Sequence, residues 1–295
     1  METPQLELKH GDCLSLLEKI KSKSIDLILV DLPYGQTANN KWDIRLPLNE
    51  YIIENGKYLM IEDYFRMHWK DLKKKKCSIE ELEADWKRRK HPGLWQYHNR
   101  IIKPNGAIIL FANGKFTAEI MDSNPKLWRY NLIWQKTTPT GFLNANKMPL
   151  RIHEDICVFY KHLPNYHPQK TTGHSPTHAY TKHTSDGTNY GKTNLEISGG
   201  GSTERYPTSI LVFPTDKQKE HYHPTQKPIA LLEYLIKTYT NEGDTVLDYC
   251  FGSCSTGVAA CRTNRNFIGI EKEKQYFDIG KKRVENVFSQ LYCTV

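Results

Sequence analysis

No stretch of this chain approaches the about 20 consecutive apolar residues that a membrane-spanning helix requires. Its first residues, METPQLELKHGD, lack the apolar core of a secretory signal. Neither a membrane protein nor an exported one is expected, and a cytoplasmic location is. Cysteine is sparse, with seven residues scattered along the chain, an odd number. No C-x-x-C or H-x-x-H pair stands at zinc-ligand spacing, so reduced thiols and no metal are the expectation. The dinucleotide fingerprint G-x-G-x-x-G is absent, and so is a glycine loop ending in Gly-Lys-Ser/Thr, so a bound pyrophosphate is not supported. No Ser-His-Asp or Cys-His arrangement stands out, and no internal repeat is present.

What remains is a chain of 295 residues, long enough to bury a core without disulfides or metals. Lys and Arg number 41 against 33 Asp and Glu, a formal net charge of +8. A basic balance favours a polyanionic partner, nucleic acid or an anionic membrane surface.

The first third alternates strand and helix. LELKH (6–10) reads as a strand, and Asp12 caps a helix built on Leu14, Leu16, Leu17 and Ile20. SIDLILVD (24–31), KPNGAIILFAN (103–113), YNLIWQK (130–136) and EDICVFYK (154–161) read as further strands, the first nearly continuous in apolar residues as buried parallel strands are. Near the end the rhythm returns. An amphipathic helix is predicted over 227–240, a turn and a strand over 241–250, a strand over 266–272, and helices over 255–262 and 273–288. This alternation predicts an α/β fold with a doubly wound, mostly parallel sheet.

Two stretches break the pattern. Residues 70–90 carry nine basic and five acidic side chains and read as a solvated helical insertion or as an arm that contacts phosphates. Residues 162–222 are rich in His, Thr, Gly, Pro, Tyr and Ser, and a long insertion between two α/β pieces is more often functional than idle.

Two loops carry chemistry. The buried run IDLILV ends on DLPYG, Asp31 to Gly35, which joins a carboxylate, a rigid turn and an aromatic ring at the end of a strand. The second loop, Gly252-Ser253-Cys254-Ser255-Thr256-Gly257, follows the strand ending at Asp248 and opens a helix. Such small residues let backbone approach a ligand at the carboxyl edge of a sheet. Glu271 closes the next strand, where an acidic residue can accept hydrogen bonds from ribose hydroxyls.

DLPYG resembles the (D/N/S)-P-P-Y motif of amino-group DNA methyltransferases, and LDYCFGSCSTG resembles their D-P-F-x-G-S-G-T-T loop for S-adenosylmethionine. HPTQKP (223–228) and FIGIEKEKQYF (267–277) are similar to the segments before and after that loop in the β class, which places the catalytic motif first and the cofactor loop last. GDCLSLLEKI, IIKPNGAIILF, LIWQK and MPLRIHEDICVFYK also look like segments of the family. Leu32 stands where the motif has its first proline, a position that contributes a backbone carbonyl, and Cys254 stands where the loop has its second glycine.

The resemblance implies a Rossmann-like S-adenosylmethionine-dependent methyltransferase. Residues 1–161 would form its catalytic part, with a basic insertion near 43–97. Residues 162–222 would be a target-recognition segment, and 223–295 the cofactor-binding part. Asp31, Leu32, Pro33 and Tyr34 would be catalytic. Asp31 and the Leu32 carbonyl would accept both hydrogens of a base's exocyclic amine, and Tyr34 would stack on the flipped base. Asp12, Cys13, Thr225, Lys227, Asp248, Phe251, Gly252, Ser253, Cys254, Ser255, Thr256 and Glu271 would surround the cofactor. Lys41, Trp42, Lys161, Lys170, Lys182, Lys192 and Arg205 are candidate contacts to double-stranded DNA. Trp134 reads as strand core or as a wall of the base pocket. A homodimer and a cognate restriction enzyme are further expected partners. Asp31 at the head of the tetrapeptide favours the N6 of adenine as target. Cytosine N4, an RNA or a protein glutamine as substrate, and an inactive DNA-binding module stay open as alternatives.

Overall fold

Along β2 (Ile25–Asp31) the apolar residues are buried on both sides, as a strand covered on two faces requires. Because strand side chains alternate, Leu27 and Leu29 point into one core while Ile28 and Val30 point into another. The computed structural model describes residues 3–35, 43–182, 186–187, 191–192, 197–216 and 226–293. By Cα proximity these fall into two compact units, 1–166 with 209–295, and 167–208.

In the first unit the chain runs through β1 (Leu6–His10), α1 (Cys13–Leu17) and β2. The hairpin β3 (Tyr51–Glu54) and β4 (Lys57–Met60) follows, then α2 (Ile61–Met67), α3 (Trp69–Lys73) and α4 (Ile79–Arg89). Next come α5 (Leu94–Ile101), β5 (Ile102–Ala112), α6 (Lys115–Ser123), β6 (Trp128–Thr140) and β7 (Arg151–Phe159). The second unit contains β8 (Tyr180–Lys182), β9 (Asp186–Gly187), β10 (Gly191–Lys192) and β11 (Ile197–Gly199). The first unit resumes with β12 (Ile210–Val212), α7 (Ile229–Tyr239), β13 (Thr245–Asp248), α8 (Ser255–Arg262), β14 (Asn266–Glu271) and α9 (Lys274–Tyr292).

The main sheet has eight strands in the order β1-β14-β13-β2-β5-β7-β6-β12. All neighbours pair in parallel except β7, which is antiparallel to both β5 and β6. Helices α7, α8 and α9 cover one face, where Leu231, Leu235, Val258 and Val284 pack on Leu29, Phe111 and Val246. Helices α1, α5 and α6 cover the other, where Leu17, Trp95 and Phe116 pack on Ile28, Leu110 and Phe159. The expected doubly wound, mostly parallel sheet is therefore present. Full burial of each such side chain stabilises the fold by about 1.5–3 kcal/mol.

The stretch 43–93 holds a small core of its own, Ile52, Tyr64, Leu82 and Trp86. A Ser78/Glu81 capping box starts α4, and the Tyr64 hydroxyl donates to Asp85 Oδ2 at 2.7 Å. The lysines at 70 and 73–76 are exposed, as both readings of this basic stretch require.

The second unit is made of two antiparallel pairs, β8 with β11 and β9 with β10, and a bridge between Thr171 and Arg205. It is narrower than the expected 162–222 segment, because β12 rejoins the sheet beside β6.

Candidate active site

Parity along the strands decides which side chains meet. Asp31 shares its face with Leu27 and Leu29, Asp248 with Val246, Glu271 with Phe267, and Glu154 with Ile156 and Val158. Lys136 lies two residues beyond Trp134 on the same face of β6. The parallel strands deliver the carboxyl ends of β14, β13, β2 and β6 to one edge of the sheet. Antiparallel β7 brings its amino end, with Glu154, to that edge. A cavity of about 1030 Å³ opens there, bordered by Asp12, Asp31, Tyr34, Glu154, Asp248 and Glu271.

Asp31 is held from two sides. Tyr34 Oη donates to its Oδ1 at 2.9 Å, and Lys227 Nζ donates to its Oδ2 at 2.6 Å. Lys227 stands one residue before Pro228, the N-cap of α7, whose packing on this face places the ammonium over the Phe111 ring at 5.0 Å. Nζ also lies 3.2 Å from Glu154 Oε2, while Lys136 Nζ contacts Glu154 Oε1 at 2.5 Å. Burial raises the Asp31 carboxyl above its usual range against the pull of Lys227, and Glu154 adds to the rise. Burial would also raise Glu154, but Lys227 and Lys136 outweigh it and hold that carboxyl below its usual range. Burial disfavours the Lys227 charge, yet Asp31 and Glu154 together raise its pKa. Of two carboxylates that share one lysine, the one with a second lysine stays the more firmly ionised.

The turn after Asp31 is braced. Gly35 N donates to Asp43 Oδ1 at 2.8 Å, and Arg45 Nε donates to the Tyr34 carbonyl at 2.8 Å. Arg45 also pairs with Glu119 at 2.5 Å and lies over the Phe116 ring. Tyr34 packs on that ring with centroids 5.4 Å apart, and burial beside Asp31 keeps its hydroxyl protonated. Leu32 is buried and Pro33 borders the cavity.

The glycine loop is organised by carboxylates. Asp248 accepts from Cys250 N at 3.0 Å and from Thr256 Oγ1 at 2.7 Å, and burial pushes its carboxyl up to about 7. Glu271 accepts from Gly252 N at 2.9 Å and from Glu273 N at 2.8 Å. Asp12 caps α1 as expected, accepting from Ser15 N at 3.2 Å, and Gly11 N donates to the Glu271 carbonyl. Cys13, Phe251, Gly252, Ser253, Ser255 and Thr256 also border the cavity. Cys254 does not border it. Cys254 adopts a left-handed conformation, φ 60°, and its fully buried thiol points into the core behind the loop. Gly257 makes that possible, since a Cβ there would lie 2.5 Å from Cys254 Sγ.

A sequence profile of the family described as DNA methylase (N6_N4_Mtase) matches residues 25–282, which span both loops and the intervening strands. The chain belongs to this DNA methylase family. The type II methyltransferase M2.LlaDCHI of Lactococcus lactis subsp. cremoris is 28% identical over 284 residues, covering 94% of this chain and 88% of the relative. M2.DpnII of Streptococcus pneumoniae is 27% identical over 285 residues, covering 94% and 89%. The crystal structure of an M1.HpyAVI–SAM complex shares the fold, with a TM-score of 0.55 at 21% identity over 95% of this chain and 99% of that one.

In this DNA methylase, the expected Thr225, Lys41 and Trp42 lie outside the described residues. Lys161 is exposed just past β7. Within the second unit Lys170 pairs with Glu204 at 2.8 Å and lies over the Tyr206 ring. Arg205 donates to the carbonyls of Ser175, Ser202 and Glu204, so it braces that unit. Lys182 and Lys192 lie on β8 and β10. Sequence reading did not single out Glu154 or Lys136. Both stand among other polar residues of their strands, Gln135 beside Lys136 and His153 and Asp155 beside Glu154, so nothing local marks them.

Proposed function

We propose that this DNA methylase transfers a methyl group from S-adenosylmethionine to the exocyclic N6 of an adenine flipped out of duplex DNA, at a specific sequence. The observation that carries the reading is the placement of Asp31 in the same cavity as the 252–256 loop and Glu271. The cavity suits a cationic, phosphate-free cofactor. Its cofactor end presents the carboxylates of Asp12, Asp248 and Glu271, and the loop has no phosphate-binding lysine. Glu271 Oε2 takes the Gly252 N–H and Oε1 the Glu273 N–H, and the about four acceptor sites of a carboxylate leave room for a ribose hydroxyl.

When bound, S-adenosylmethionine supplies an electrophilic sulfonium methyl group. The chain's own residues prepare the nucleophile. An aromatic amine is weakly nucleophilic because its lone pair is delocalised into the ring. Asp31 and the Leu32 carbonyl accept its two hydrogens, which localises the pair on nitrogen for in-line attack. After transfer the nitrogen sheds a proton, and the Asp31 carboxylate, with its raised pKa, is the base in contact with it. Tyr34 presents its ring to the flipped base, a stacking contact worth about 1–3 kcal/mol.

Residues 162–222, including the compact 167–208 unit, act in this reading as the target-recognition part, between catalytic residues 1–161 and cofactor-binding residues 223–295. The type II designation of M2.LlaDCHI and M2.DpnII supports a cognate restriction enzyme as a functional partner. A cytoplasmic homodimer completes the proposal. Among the described residues no helix is long and apolar enough to cross a membrane.

The test is incubation with unmethylated duplex DNA and methyl-labelled S-adenosylmethionine, followed by mass spectrometry of the nucleosides. Labelled N6-methyladenine is expected. Labelled N4-methylcytosine would keep the mechanism and replace the target, a reading the family's N6/N4 designation favours as second choice. No label in DNA would overturn the proposal.

A further inference from the structure

Asp31 meets a substrate amine with both of its oxygens already engaged. Its Oδ1 accepts from Tyr34 and its Oδ2 accepts from Lys227 at 2.6 Å. An amine that approaches Oδ2 along the direction now used by Lys227 displaces this short charge-assisted bond. An ammonium buried to this degree, 7% exposed, cannot be left without a carboxylate, because an unpaired buried charge is strongly destabilising. Glu154 is the other carboxylate in reach. Its Oε1 is held by Lys136. Its Oε2 is engaged only by Lys227, as an ion pair at 3.2 Å that is longer than the 2.6 Å bond from the same ammonium to Asp31. The weaker of the two contacts has room to tighten.

We propose that Glu154 is a positioning residue for methyl transfer: it receives the Lys227 ammonium when the target amine takes the place of Lys227 on Asp31 Oδ2. This rests on the DNA-methylation reading and deepens it. Lys227 Nζ is 2.6 Å from one carboxylate and 3.2 Å from the other, so a sub-ångström shift of a flexible side chain exchanges the two bonds. Lys136 holds Glu154 ionised and in place throughout. The total charge of the cluster does not change in the exchange, so no desolvated charge is created as the amine enters. The lysine then stays beside Asp31 and keeps it ionised, without occupying the oxygen the amine needs.

The test uses Glu154→Gln and Glu154→Asp in the full chain, on a duplex carrying the site mapped from the wild-type product. Three quantities are measured: S-adenosylmethionine binding by calorimetry, the split between kcat and KM, and the pH profile of kcat. In Glu154→Gln the lysine has no anionic alternative and stays on Asp31. A kcat lower by about 10- to 100-fold is expected, with cofactor affinity within about threefold of wild type. Asp31 is faced by Lys227, Tyr34, Glu154 and, from β13, Asp248. Removing the Glu154 charge lowers the Asp31 pKa, so the acid limb of the profile moves to lower pH. Glu154→Asp is expected to recover most of the turnover and to restore the limb. Should Glu154→Gln fail to fold, Glu154→Asp decides alone: near-wild-type turnover with the acid limb in place supports the role, and loss of turnover at wild-type stability and cofactor affinity overturns it. Wild-type turnover in Glu154→Gln, or an unmoved limb with cofactor affinity lost in step with kcat, overturns it. A wild type that methylates no DNA would instead remove the underlying reading, so the two failures are distinct.

Discussion

Lys227 Nζ donates to Asp31 Oδ2 at 2.6 Å across 196 residues of chain. The contact joins the end of an early strand to the residue before the cap of a late helix. It exists because β13 and β2 are adjacent in the sheet, and because α7 packs on the face that Asp31 shares. The catalytic and cofactor halves of the sequence thus meet in one charge cluster.

Replacing that lysine should therefore change the pH behaviour of Asp31. In Lys227→Met, Asp31 loses the cation that holds its pKa down, so the pKa rises and the acid limb of methylation moves to higher pH. The lost buried pair should cost about 3 kcal/mol or less, since Asp31 can take up a proton in compensation. A pH–rate profile and urea unfolding check both. An acid limb that stays in place would contradict the coupling.

Cys254 provides a second test, because its thiol lies behind the cofactor loop. Cys254→Ala should lower stability by about 1–2 kcal/mol through the lost buried sulfur and leave S-adenosylmethionine affinity nearly unchanged. Gly257→Ala should cost more, about 2–3 kcal/mol, since its Cβ would meet Cys254 Sγ at 2.5 Å and Phe267 Cε1 at 2.8 Å. Adding Cys254→Ala should relieve only part of that, because the Phe267 ring remains. Thermal unfolding of the three variants decides the matter. Full rescue, or a cofactor affinity that follows residue 254, would place the thiol elsewhere.

A third prediction concerns His98, which is fully buried with Nε2 2.9 Å from the Tyr249 hydroxyl. Burial holds its imidazole down at about 3. The unfolded chain titrates near the ordinary value of about 6.5. Between these values the unfolded state binds more protons, so stability falls as pH drops from about 6.5 toward 3, by at most about 1.4 kcal/mol per pH unit for this group. His98→Phe should be less stable than wild type at pH 8, where Tyr249 loses its partner, and should show a shallower decline on acidification. Urea unfolding at pH 5 and pH 8 measures the difference, and equal slopes would refute it.

Much of this arrangement was readable from local sequence. The runs in β2, β13 and β14 are apolar on both faces, which marks strands buried between helix layers, and Asp31, Asp248 and Glu271 announce themselves as charges that end those runs. The small core of Ile52, Tyr64, Leu82 and Trp86 was not readable, because four apolar residues dispersed over a polar stretch give no local period. Nor was β12, three residues long with Ile210 and Val212 exposed, whose only support is its pairing with β6. Glu154 and Lys136 gain their meaning from the antiparallel insertion of β7 between β5 and β6, a property of topology that no single segment carries.

The central claim is that Asp31 activates the acceptor amine and does not itself hold the cofactor that shares its cavity. Single-turnover methyl transfer by Asp31→Ala, measured beside calorimetric binding of S-adenosylmethionine, tests this most directly. Glu154 remains to hold Lys227 in that variant, so the cavity should persist. Transfer should fall by about 10²- to 10³-fold with cofactor affinity within a few fold of wild type. Turnover close to wild type, or a loss of cofactor binding equal to the loss of rate, would contradict the account.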